Sequence, residues 1–103
     1  MIEMRPLLLN GHQVTAVSVQ LPKTNLLIIT TEKGYIMCGA LDIALLNERL
    51  ASRGIIAGRA LDVRTIEQLL EAPLESVTTA AAEQGIVPGM KGKDAILGLT
   101  PVK

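Results

Sequence analysis

Apolar and polar residues alternate with a period of two over the first third of the chain, and recur every three to four residues over much of the rest. From Val17 through Ser18, Val19 and Gln20 to Leu21 the alternation is strict, the pattern of a strand with one wet face. Just upstream, Val14 and Ala16 fall on the opposite phase. A phase switch inside one strand predicts a β-bulge near Ala16. Residues 1–9 form an apolar run broken by Pro6, and a strand tolerates Pro only at an edge, at its start or at a bulge. Between the two runs stands Asn10-Gly11, the strongest short hairpin signal, because the tight turn needs positive φ at both central residues. Pro22-Lys23-Thr24-Asn25 is a turn cluster. Leu26-Leu27-Ile28-Ile29 then has no polar phase at all, so both faces of that strand need cover. Glu32-Lys33-Gly34 turns the chain into a short strand over 35–38, which makes residues 25–38 a second hairpin.

The period then changes. Leu41, Ala44 and Leu45, with Ile43, Leu46 and Leu50, trace the wide apolar stripe of a helix. Arg49 and Arg53 sit where the helix dipole favours cations, and Gly54 stands at the stop. Residues 55–61 read as a strand containing Gly58. Strand, helix and strand in succession predict a parallel crossover of right-handed sense. Thr65-Ile66-Glu67-Gln68 has the spacing of a capping box and opens a short helix that Pro73 ends. A further helix is expected over 74–84 with Gly85 as its stop, then a turn at Val87-Pro88-Gly89 and a weak helix over 94–99. The class is therefore α+β: N-terminal antiparallel β-hairpins, one right-handed βαβ crossover, and short C-terminal helices packed on the sheet. At 103 residues the chain is one domain, with residues 1–38 mostly strands and residues 39–103 mixed.

Composition narrows the function classes. Ten basic residues balance ten acidic ones, so no net charge draws the chain to nucleic acid or an anionic membrane. With no Phe, no Trp and one Tyr there is no stacking platform for single-stranded nucleic acid. No apolar run reaches the length of a membrane span. Glu3 and Arg5 interrupt the first ten residues, which do not read as a signal peptide. One Cys cannot form an intramolecular disulfide and fits a reducing compartment, so a cytoplasmic location is expected.

Cys38 is the first chemical candidate, ending a strand before a helix with Gly39 beside it. A thiol in such a turn can be lifted from the sheet and activated by free N–H groups. Against this, free Cys is among the most buried residue types. Asp42, four residues on, is either a cap for the following helix or a group that orients a ligand or water. Arg59, flanked by Gly58 and Ala60, is either paired with Asp42, Asp62 or Glu48, or binds an anion. His12 is the one histidine and nothing in the sequence places it near Cys38. One His and one Cys without paired spacing supply no metal site, and no cofactor is implied. Residues 89–94, Gly-Met-Lys-Gly-Lys-Asp, resemble a phosphate loop superficially. They lack the first Gly and place Asp94 where Ser or Thr should hold magnesium, so they read as an ordinary loop.

The segments Gly34-Tyr35-Ile36-Met37-Cys38-Gly39-Ala40-Leu41-Asp42 and Gly58-Arg59-Ala60, with Val63-Arg64-Thr65-Ile66 and Leu21-Pro22-Lys23-Thr24-Asn25, resemble the YunC-like family of small bacterial and archaeal proteins. The likeness runs from about residue 5 to residue 98. It implies an α+β domain of unknown function whose N-terminal β region serves as a tetramerisation element. It implies no activity, substrate or catalytic residue.

The apolar strands point the same way independently, since three short helices can hardly cover both faces of a five-stranded sheet. A homo-oligomer, a tetramer by preference, is expected through the N-terminal strands, with Asp at Leu27 or Ile29 giving monomers or insoluble protein. Biochemically two readings stand open. One is a small-ligand-binding module at Cys38, Gly39 and Asp42 with Arg59 as charge partner. The alternative is a thiol-dependent enzyme with Cys38 as nucleophile and His12, Asp42 or a residue from a neighbouring subunit as base.

Overall fold

The computed structural model describes residues 2–9, 11–22, 24–38 and 55–99. The helix expected over 41–53 lies outside them. The strands are β1 (Ile2–Leu9), β2 (His12–Leu21), β3 (Thr24–Thr30), β4 (Tyr35–Cys38), β5 (Ala57–Ala60) and β6 (Ser76–Val77). The helices are α1 (Ile66–Glu71), α2 (Thr79–Glu83) and α3 (Gly92–Gly98). The six strands form one sheet in chain order. All neighbours are antiparallel except β4 and β5, whose parallel pairing is the mark of the expected crossover.

The register explains the phase switch in β2 without a bulge. β1 pairs with β2 from Ile2↔Val19 to Leu9↔His12, and β2 with β3 from Thr15↔Thr30 to Leu21↔Thr24, both without a break. Leu9↔His12 is the two-residue turn expected at Asn10-Gly11, with Gly11 at φ 82°. Leu21↔Thr24 confines the next turn to residues 22–23, shorter than the four-residue cluster expected. Val14 and Ala16 point to one face, Val17, Val19 and Leu21 to the other. β2 is apolar on different faces in its two halves because the sheet has two apolar faces.

The three helices among the described residues lie on one of them. Val14, Ala16, Leu27, Ile29, Ile36 and Cys38 pack in one core with Ile66 and Leu69 of α1, Ala81 of α2, and Ala95 and Ile96 of α3. Leu27 and Ile29 are 2% and 0% exposed there, so Asp at either is a test of folding, not of association. On the outer face Met37 and Ala57 are buried, with Ile28, Tyr35 and Ile55 against them. Toward β1 that face opens. Val17, Val19 and Leu26 are half-buried, and Ile2, Met4 and Leu8 are 70%, 68% and 72% exposed.

Thr65 caps α1, its Oγ1 accepting from the Gln68 N–H at 3.1 Å. Gln68 returns a bond to the Arg64 N–H, at 2.8 Å, one residue ahead of the cap. The helix expected over 74–84 is half as long. Glu75 N–H donates to the Arg59 carbonyl, and Ser76 and Val77 pair with β5 as a sixth strand. Only after Thr78 does the helix α2 begin. α3 starts two residues earlier than expected, at Gly92. Exposed ion pairs tie the layers. Arg5 of β1 meets Glu67 of α1 at 2.9 Å, and Lys91 and Lys93 flank Glu71 at 3.5 and 3.2 Å. The bonds from Arg5 and from Lys93 hold the Glu67 and Glu71 carboxyls below the ordinary carboxylate range.

Candidate functional site

Cys38 closes β4, where the β3–β4 ladder runs out after Ile28↔Met37. Its thiol replaces the missing ladder partner. Sγ accepts from the Leu27 N–H at 3.3 Å and donates to the Asn25 carbonyl at 3.5 Å. The side chain is 3% exposed and packs on the helix-covered core. The thiol hydrogen is spent on the Asn25 carbonyl and the sulfur is out of reach of solvent. The arrangement suits a small core residue that satisfies two backbone groups. Native protein is accordingly expected to resist alkylation at Cys38 and to react stoichiometrically once denatured. Rapid labelling of the folded chain would contradict that placement.

The other candidates do not gather around this thiol. Extending the β3–β4 register sets Cys38 opposite Leu27, which is level with Ser18 on β2. His12 is six residues further along β2, about 20 Å at the rise of a strand. It cannot act as a base for Cys38 of the same chain. Arg59 pairs in register with Met37, and Ala60 with Cys38. Alternation therefore sends Arg59 to the outer face and Cys38 to the inner one. Arg59 lies 3.7 Å from Glu75, whose N–H already bonds the Arg59 carbonyl. Among the described residues the carboxylate beside Arg59 is Glu75, a partner not considered from the sequence, while Asp42 and Glu48 lie outside them. Gly39 and Asp42 lie outside the described residues.

The glycines that hinted at ligand approach serve packing instead. At Gly58 a Cβ would come within 2.7 Å of Leu74 Cδ1, so that Leu fills the space beside the strand. At Gly92 a Cβ would collide with the Leu69 carbonyl oxygen, and the Gly92 N–H donates to the Ala72 carbonyl at 3.0 Å. The lookalike phosphate loop is thus the tight junction of α1 and α3. Among the described residues no three His, Cys, Asp or Glu side chains gather as metal ligands. Nor is any helix among them long and apolar enough to cross a membrane.

What the sequence reading left open is which residues of the N-terminal strands face outward. Ile2, Met4 and Leu8 share the outer face with Val17, Val19 and Leu26, and none of its positions in β1, β2, β3 or β4 is charged. The signal was available. The two-residue turn at Asn10-Gly11 fixes Met4 opposite Val17, and from that register every outward position of β1 follows.

Comparison with known proteins agrees with this picture of a fold without an assigned reaction. The family described as a domain of unknown function, DUF1805, matches residues 37–99. The uncharacterized protein YunC of Bacillus subtilis (strain 168) is 59% identical over 97 residues, covering 94% of this chain and 96% of that protein. The crystal structure of TA1206, a protein of unknown function from Thermoplasma acidophilum, superposes with a TM-score of 0.86 at 29% identity. That likeness covers 96% of this chain and 93% of that one. Nothing in these relatives supports a thiol-dependent enzyme. With more than half its length matched by the family and nearly all of it by YunC, the chain belongs to the YunC-like proteins of the DUF1805 family, whose function is unknown.

Proposed function

We propose that this chain is a self-assembling cytoplasmic domain, a homotetramer by preference, whose N-terminal strands form the contact between copies. The observation that carries the reading is the uncharged outer face of β1–β3, with Ile2, Met4 and Leu8 at least two-thirds exposed. Monomers rarely leave an apolar patch of this kind in water, and such patches mark interaction sites. A long apolar edge strand left uncovered is also an aggregation hazard. The three helices among the described residues do not relieve it, because they pack on the other side. The balanced charge supports a partner that is recognised by apolar burial and not by charge. A single buried Cys held as a thiol supports the reducing compartment.

Multi-angle light scattering at micromolar concentration tests this directly. A mass near four times 11.0 kDa is expected. A stable species of 11.0 kDa, one chain, would remove the proposal.

A further inference from the structure

We draw no further inference here: the strongest candidate, the turn after β5 at the carboxyl end of the parallel strand pair, where Asp62 stands at φ 59° and Arg64 follows, rests on backbone strain and exposed charges alone, and the residues that follow β4 lie outside the described ones.

Discussion

Leu27→Asp is expected to leave no cooperatively folded protein, whereas Leu26→Asp, the same exchange one residue earlier, is expected to fold. Leu27 is 2% exposed in the helix-covered core, and its N–H is spent on the Cys38 thiol. An Asp there must either ionise in a dry site or stay protonated at neutral pH. Holding it protonated against a shift of 3–5 units costs roughly 4–7 kcal/mol. Losing the Leu adds about 2–5 kcal/mol. A domain of this size has about 5–15 kcal/mol in all. Leu26 is half-buried on the outer face, where a carboxylate can reach water. Urea melts followed by circular dichroism decide it. Equal damage from both substitutions would show that the two faces are not as different as the register makes them.

The second large effect is expected at Thr78, the one fully buried polar residue among those described. A hydroxyl has one hydrogen and two lone pairs, and all three are used. Oγ1 donates to the Ile55 carbonyl at 2.6 Å and accepts from the Ala57 N–H at 3.1 Å and the Ala81 N–H at 3.2 Å. One side chain thus caps α2 and fastens the entry of β5 to it. Thr78→Val keeps the volume and strands those backbone groups. The expected cost is about 2–4 kcal/mol, from a lost cap and buried groups left unpaired. Thr78→Ser keeps the hydroxyl and is expected to cost about 1 kcal/mol for the missing methyl. Chemical denaturation of the pair measures the difference. A Val variant as stable as the Ser variant would mean that the three bonds contribute nothing net.

Thr78 also shows where local reading fails. Its surroundings, Leu74 through Gln84, have good helix periodicity, and the sequence supports a single helix there. The structure spends Ser76 and Val77 on pairing with β5 instead, because a short parallel strand at the sheet's margin has unpaired backbone that they can satisfy. That demand comes from residues nearly twenty positions away and has no local signature. The first turn of α3 is similar. Gly92 is read as a loop residue, yet its lack of a Cβ lets α3 close on α1.

The candidate site was legible in part. The burial of Cys38 was among the readings its residue type allowed, but the two backbone groups it serves are not visible without the β3–β4 register. That Cys38 and Arg59 leave the sheet on opposite faces follows from strand alternation once Met37↔Arg59 is known. The spacing between them does not contain it, since a crossover sets the parallel register through residues that lie between.

By itself the sequence determined what depends on neighbours along the chain. It determined the hairpin at Asn10-Gly11, the second hairpin into Tyr35, the cap at Thr65, and the α+β class, because turn chemistry and periodicity act over a few residues. It also determined that the strands were apolar on more than one side. Only the tertiary structure decided which side each residue takes. Whether Val14 and Val17 mark a bulge or two faces, and whether Leu26 or Leu27 meets the described helices, depends on where those distant helices settle. Those helices settle together on one face because each is too short to bury its stripe except against the others and the sheet. In the reading proposed above, a second copy covers the opposite face of β1–β3.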